Sequence, residues 1–508
     1  MMIFADAATS ILTWTLAVGA VIAAGLTYRA WVACSYWRRK GIPHEGYLSY
    51  LYTSLVRFRH EDVYQVLEEL HSRYGPVYGT YSGFRPVLRV TTLDGVKDAL
   101  VRRFSVNHER TLFVPTGSPL WDNNILALDY HRWKSVRPLS GLAFTPSRLK
   151  AMKCRIESIA DRLAARMLAC ANDNKDLNPA LYSQCYTIEV TASIAFSLEV
   201  DALANPENPF VRNGNNMFGP SVGLSLLSAA PWLVKYIPFV HFPPKSVTDF
   251  FQGFTETLIK QRRQSGRPST DPDILDLWLE EQKNRPEFTD ELIAAQTFVF
   301  FVVGFETSAY TLFLTLYLLA SNEEAQELAY NDMLKHAKDP NNITFEEYGR
   351  MKAIEACFTE TLRLYPTDYV LDRMTIAPCT IADVSLDAGI GVQVPIPALH
   401  RDPTVFPQPH CYRPQRYIEE LNVDPVDSAT QFSAMLAFGE GPKGCMGRRL
   451  AHLQLTIALC SILKRARLVA SEASPRVEAG KLPFRLAEGA LFVPLPKDPL
   501  YIRLEPRT

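Results

Sequence analysis

The chain begins with a hydrophobic run that no charge interrupts. Ala7 to Tyr28 gives 22 uncharged residues. As a helix they span about 33 Å, enough to cross the hydrocarbon core of a bilayer. Asp6 precedes the run, and Arg29, Arg38, Arg39 and Lys40 follow it. A cleaved signal peptide would have a shorter apolar stretch and its basic residues first. The order found here predicts an uncleaved signal anchor with the downstream chain in the cytoplasm. Trp14, Trp31 and Trp37 fall at or near the two interfaces, and Gly41-Ile42-Pro43 makes a short stiff hinge.

Beyond the hinge, Val77–Tyr81 and Pro86–Thr91 read as two strands around Gly83. From about residue 92 to 365 the apolar spacing is helical. The most apolar stretch there, Leu292 to Asn322, carries Glu306 near its middle. A carboxylate at the bilayer midplane costs about 2.5–3.5 kcal/mol. The stretch is therefore expected as a long core helix, capped at Thr289 with Asp290 and Glu291 in its first turn. Asn213 to Val234 is uncharged but holds Pro220 and Pro231, which favours a loop dipping into one leaflet over a spanning helix. Thr380–Val394 alternates as a strand or hairpin, and a Pro-rich, β-containing segment follows Leu482.

At about 150 residues per domain the 508-residue length suggests roughly three domains. No clean linker divides the chain, however. The expectation is a mainly α protein with small β-sheets: an anchor helix over 1–30, a basic flank and hinge over 31–45, and one large domain over 46–508. Hydrophobic residues at 47% and charged residues at 21% exclude a disordered or collagen-like chain. Fifty-three basic minus fifty-four acidic residues leaves −1, so no global field favours nucleic acid. The nine cysteines are dispersed with no CxxC, which argues against a disulfide framework or zinc site and fits a reducing compartment.

Candidate chemistry concentrates in four segments. Phe438-Gly439-Glu440-Gly441-Pro442-Lys443-Gly444-Cys445-Met446-Gly447 forces a tight loop that ends on a cysteine, with an amphipathic helix behind it. A cysteine at a helix N-terminus has its thiolate favoured by the dipole and free N–H groups, and is a good soft metal ligand. Glu360-Thr361-Leu362-Arg363 puts an acid and a base on one helix face, as many surface pairs do. Val303-Gly304-Phe305-Glu306-Thr307-Ser308 sets an acid beside an alcohol inside the apolar helix, where the pair could stage protons or simply soften a core helix. Trp133 and Arg137 share a helix face at i,i+4.

The ten-residue cysteine loop strongly resembles the haem-binding loop of the cytochromes P-450, and the other three segments resemble its companions. Tyr36–Pro43, Gly79–Val90, Phe144-Thr145 and Leu399-His400-Arg401-Asp402-Pro403 look like the animal microsomal branch, which includes xenobiotic-oxidising enzymes. The resemblance implies the cytochrome P-450 fold and haem b (iron protoporphyrin IX), with Cys445 as axial thiolate and metal ligand and Phe438 packed near the sulfur. It implies that Trp133 and Arg137 hold a haem propionate, with Arg373 and, more weakly matched, Arg110 as further contacts. Lys443 stands where the family usually has Arg, which keeps the charge but loses the bidentate fork. Glu306 and Thr307 match the acid–alcohol pair that delivers protons during oxygen activation. Val303 replaces the usual Ala or Gly. Glu360, Arg363 and Arg416, the last in Tyr412-Arg413-Pro414-Gln415-Arg416-Tyr417, match a buried structural triad.

The implied activity is monooxygenation of a hydrophobic small molecule, xenobiotic or lipid/steroid, at the endoplasmic reticulum membrane with the catalytic domain cytoplasmic. Electrons would come from NADPH through NADPH-cytochrome P-450 reductase, with cytochrome b5 as a second donor; membrane lipid is a partner and nucleic acid is not. Arg132, Lys134, Lys443, Arg448 and Arg449 are the expected basic docking face. Substrate contacts are expected from 113–125, 210–227, 298–305, 367–371 and 482–493. Asp368 is expected to cap a local turn, with recognition of a cationic or hydroxylated substrate as the other reading. Two alternatives to monooxygenation stand beside it: a haem-thiolate isomerase or dehydratase of an oxygenated lipid needing no reductase, and a non-enzymatic anchored haem-binding protein.

Overall fold

The computed structural model describes residues 34–507 other than 112–114, 172–174, 218–236, 238–239, 266–271, 478–479 and 488–492, together with scattered positions between 14 and 32. Much of the candidate anchor Ala7–Tyr28 therefore lies outside the described residues. Those of its positions that are described are helical and exposed. Of the suggested leaflet loop, Asn213–Met217 belong instead to a helix, Pro209–Met217, and the rest to 234 lies outside the described residues.

The helical period seen from residue 92 onward resolves into α1 (Tyr130–Leu142), α2 (Pro146–Ala171), α3 (Pro179–Phe196), α4 (Lys245–Ser265), α5 (Asp290–Ala320) and α6 (Lys352–Leu364), with α7 (Arg448–Leu463) following the cysteine loop. Side-chain caps start several of them. Asp129 accepts from the N–H groups of His131 and Arg132 at 2.9 and 3.0 Å. Thr289 accepts from that of Leu292 at 3.2 Å, with Asp290 and Glu291 in the first turn as expected.

Helix α5 is the axis of the molecule. Its 31 residues run about 46 Å, and most of its side chains are buried on every side, which explains why its sequence is apolar all round rather than striped. Among the described residues it is the one helix long and apolar enough to cross a membrane, and it is mostly buried inside the protein. Close approach fixes its neighbours. A Cβ on Gly304 would stand 3.2 Å from Thr191 of α3. Thr307, Thr311 and Thr315 each donate to the carbonyl four residues back, at 2.7–2.9 Å, and Thr315 also meets Thr361 of α6 at 3.0 Å. These side chains thus spend their hydroxyls inside the helix rather than against it.

The strands form small sheets at the edge of this body. Strands β1 (Val77–Ser82) and β2 (Arg85–Val90) pair antiparallel around Gly83, close to the expected bounds. β2 pairs parallel with β6 (Gly391–Pro395), which pairs antiparallel with β3 (Val370–Met374). The expected hairpin over 380–394 proves to be β4 (Cys379–Ile381) and β5 (Val384–Leu386), with β6 joined to the larger sheet. Ala382 and Asp383 take positive φ at the tight β4–β5 turn, the twist a two-residue hairpin needs. Strands β7 (Ala466–Ala470) and β8 (Ile502–Pro506) close the C-terminal end. Strand β3 matters most for function, because it carries the segment after α6 across to Arg373.

Candidate functional site

The cysteine loop is tied from below and within. The Leu436 N–H donates to His400 Nε2 at 2.9 Å. Gly439 N–H then donates to Leu436 O at 2.7 Å, Gly444 N–H to Gly441 O at 2.9 Å, and Cys445 N–H to Phe438 O at 2.7 Å. Gly441 has φ +72°, and a Cβ there would meet the Leu100 carbonyl at 2.2 Å, so both the turn and the contact require glycine. Cys445 stands three positions before the first residue of α7 rather than opening it. The N–H groups of Gly447 and Arg448 still lower the thiol's pKa, as does Arg137, but burial outweighs them and raises it.

That burial coexists with open surface on Cys445. A side chain with free surface that is nonetheless desolvated by surrounding protein lines an internal space, not the outside of the molecule. Val303 is a second position with open surface among buried neighbours. It is 41% exposed in the middle of α5, while Phe301, Val302 and Phe305 are at most 3% exposed. Thr307, one turn on, is half-buried. Gln454 of α7 donates to Ser308 at 2.7 Å, which fastens this turn of α5 to the helix behind the cysteine. Glu306 has no counter-charge among the described residues; burial pushes its carboxyl up to about 7.

Four cations gather along one edge of the space. Arg137 donates to Gly444 O at 2.5 Å. Lys443 is only 8% exposed, with its ammonium 5.2 Å from the Trp133 ring centre. Arg373 donates to Asp372 O at 2.7 Å and leaves its buried Nε with no partner among the described residues. Burial, then Arg110, pulls Arg373 down to about 10. Burial, then Arg110 and Arg373, pulls Lys443 down to about 8. Burial also lowers Arg110 and Arg137. Desolvated cations that depress one another are costly unless an anion joins them. Two carboxylates of a planar cofactor beside Cys445 fit that need. The structure thus brings together Arg110, Trp133, Arg137, Arg373, Lys443 and Cys445, with Phe438 in the cysteine loop; Glu306 and Thr307 stand on α5 beside Ser308, which is tied to α7.

Behind the loop, Glu360, Arg363 and Arg416 are all fully buried. Arg363 grips Glu360 with two bonds of 2.8 Å, and Arg416 reaches Glu360 at 3.2 Å and Asp424 at 2.7 Å. Arg363 also donates to the carbonyls of His400, Pro409 and Cys411 at 2.8, 2.7 and 3.1 Å. His400, which holds Leu436, is thereby part of the scaffold, and burial beside Arg363 depresses it to about 3, so it accepts as a neutral ring. Sequence spacing gave no role to His400 or Asp424; only the Leu399–Pro403 pattern marked the former.

Two expectations fail. Lys443 cannot serve an outer docking face, because it turns inward onto Trp133; Arg132, Lys134 and Arg449 are exposed. Asp368 caps no turn: its carboxylate makes no hydrogen bond or ion pair among the described residues, although it has free surface. Its neighbour Asp372 takes the structural part, accepting from the N–H and, at 2.8 Å, the hydroxyl of Thr111. Of the expected substrate segments, 113–114, 218–227 and 488–492 lie outside the described residues.

Comparison with known proteins places this geometry. The cytochrome P450 family model matches residues 43–484. Cytochrome P450 3A30 of Fundulus heteroclitus is 30% identical over 98% of this chain and 98% of its own length. Lithocholate 6-beta-hydroxylase of Mesocricetus auratus is 29% identical over 86% and 87%, and probable cytochrome P450 6d5 of Drosophila melanogaster 29% over 88% and 92%. The chain belongs to the cytochrome P450 family. Within it the protein is a monooxygenase similar to the animal microsomal branch, as the Tyr36–Pro43 and Leu399–Pro403 segments imply.

Proposed function

We propose that this monooxygenase places one oxygen atom of O2 into a hydrophobic small molecule, a xenobiotic or a lipid or steroid. Electrons come from NADPH through a membrane-bound reductase. The observation that carries this reading is the Cys445 thiol, with free surface yet desolvated, in one site with the inward-turned cations Arg110, Arg137, Arg373 and Lys443. A haem b bound there would supply the oxygen activation, its thiolate ligand favouring O–O cleavage. Cys445 would hold the iron, Phe438 would pack beside the sulfur, and Trp133, Arg110, Arg137, Arg373 and Lys443 would hold the propionates. The name of the Mesocricetus relative, a lithocholate hydroxylase, supports steroid-like substrates.

Glu306 and Thr307 stage protons in this reading. With its carboxyl near 7 rather than the usual value of about 4.3, Glu306 holds a proton at neutral pH and releases it as pH rises. Product formed per NADPH should therefore fall as pH rises through about 7. Glu306→Gln should flatten that profile; an unchanged profile would remove Glu306 from the relay.

Val303 narrows the space. Val303→Ala should extend turnover to bulkier substrates, read as the product profile across a size series. An identical profile would mean that Val303 does not limit the space.

The exposed apolar helical positions Trp14, Val21 and Tyr28, each more than 60% exposed, support a single-pass anchor at the endoplasmic reticulum membrane. Residues 46–508 then form one cytoplasmic catalytic domain behind an anchor over 1–30 and a flank over 31–45. Arg132, Lys134 and Arg449 offer a basic face to a negatively charged reductase or cytochrome b5. The test is reconstitution. The haem-loaded chain with reductase, NADPH and O2 should oxidise apolar substrates, and Lys134→Glu with Arg449→Glu should slow reduction and weaken its salt dependence. Product formation without reductase would overturn the reading.

A further inference from the structure

Resting on that reading, we propose that His452 is a positioning residue for the haem thiolate. Its ring, gripped from α6, braces Phe438 and so keeps water away from the Cys445 sulfur.

Helix α7 brings His452 to this place. Arg448 and His452 stand four positions apart and so share one face of α7. Both meet Phe438. The Arg448 guanidinium lies 5.5 Å from its ring centre, and the His452 ring lies 5.2 Å away at 56°. Phe438 is tied in turn to the cysteine, because its carbonyl accepts the Cys445 N–H at 2.7 Å.

The grip on His452 comes from α6. His452 Nδ1 donates to Glu355 Oε1 at 3.0 Å, and Phe358, one turn on from Glu355, lies 5.0 Å from the imidazole at 72°. Phe358 is fully buried and has no room to yield. Lys352 pairs with Glu355 at 2.7 Å. Burial works against the Glu355 carboxylate, but His452 and then Lys352 hold it down at about 2, so the acceptor stays ionised at working pH. The other ring nitrogen, Nε2, is buried with no partner among the described residues.

That orphan nitrogen sets His452 apart from the residues that follow it. Leu453, Leu455 and Ile457 are buried and apolar. Filling space would need only another such side chain, and an unpaired buried nitrogen is costly. What the imidazole adds is a flat ring locked at one end, which cannot turn away from Phe438 as a leucine can. With Phe438 held still, donors are kept from the sulfur. Hydrogen bonds to a thiolate ligand and its exposure to solvent tune the metal and raise its reduction potential.

The test is the reduction potential of the haem-loaded full chain, measured by spectroelectrochemical titration, with the ferrous–CO band recorded beside it. His452→Asn keeps an amide donor for Glu355 and removes the ring. Its band should stay red-shifted while its potential rises by up to about 59 mV, tenfold in the one-electron equilibrium. His452→Phe keeps a ring between Phe358 and Phe438 and should recover most of that rise. Should His452→Asn fail to take up haem, His452→Leu, which has apolar volume but no flat ring, should show the same rise. A wild-type potential in the ringless variants, even with lowered thermal stability, would mark a merely structural residue and overturn the proposal. Equal shifts in His452→Asn and His452→Phe would overturn it too, since the charge of the imidazole and not its packing would then be at work. A wild type without the red-shifted band would instead count against the haem-thiolate reading itself.

Discussion

Cys445→Ser is expected to abolish the strongly red-shifted ferrous–CO band and to cut turnover by more than the roughly 10–100-fold that losing an outer partner of a metal ligand costs. The reason lies in the side-chain atom, not the loop. The ties that shape the turn run through backbone groups, from Cys445 N–H to Phe438 O, from Gly444 N–H to Gly441 O, and from the side chains of His400 and Arg137 to Leu436 N–H and Gly444 O; none uses the Cys445 side chain. Serine preserves all of them and nearly the same volume. It replaces a soft sulfur, ionisable near 8.5 in the open, with a hydroxyl that stays protonated at any working pH. The N–H groups of Gly447 and Arg448, which partly offset burial at the thiol, then have no anion to stabilise. Cys154→Ser, at an exposed cysteine, should leave the band intact. A red-shifted band that survives Cys445→Ser would overturn the assignment of the axial ligand; a histidine-like band in the wild type would overturn it more directly.

What could be read from the chain divides by the range of the interaction. The cysteine loop was legible because its constraints are local: glycines where φ is positive, a cysteine just ahead of a helix. Helix α5 was legible because Thr289, Asp290 and Glu291 mark its start and Glu306 excludes a membrane span. The strands around Gly83 followed from alternation over a few residues. By contrast, Lys443 looked like part of a basic outer face, since sequence shows charge and not which way the loop turns it. Only packing against Trp133, 310 positions earlier, sends it inward. Asp368 looked like a turn former because aspartate usually is one. Its Tyr369 neighbour is held instead by Ile396 across the sheet, so the carboxylate has no turn to cap. The cationic edge is equally non-local: Arg110, Arg137, Arg373 and Lys443 come from four separate segments, and their mutual depression exists only once the fold assembles them.

Glu360→Gln should cost about 3–5 kcal/mol of stability, the usual result of removing one member of a buried ion pair. Arg363 and Arg416 would both be left fully buried with a neutral amide between them. The sign of the pH effect follows. Burial raises the Glu360 carboxyl and the two guanidiniums lower it further, so it ends below its ordinary value. Its contribution to stability is present above the unfolded-state value and lost as pH falls through the folded one. Glu360→Gln should therefore remove an acid-labile component from the unfolding curve.

Arg363→Lys is the sharper test, because it keeps the charge. Arg363 spends its donors on both Glu360 oxygens and on three carbonyls of the 400–411 segment. A lysine has three donors on one atom and cannot span that set. The unmet carbonyl of His400 matters most, since the same residue accepts the Leu436 N–H at the base of the cysteine loop. Loosening it should release the loop before the helices melt. Haem loss should thus precede loss of helical signal on heating Arg363→Lys, whereas the wild type should lose both together. Coincident loss in the variant would mean that the triad supports the fold as a whole and does not specifically brace the thiolate.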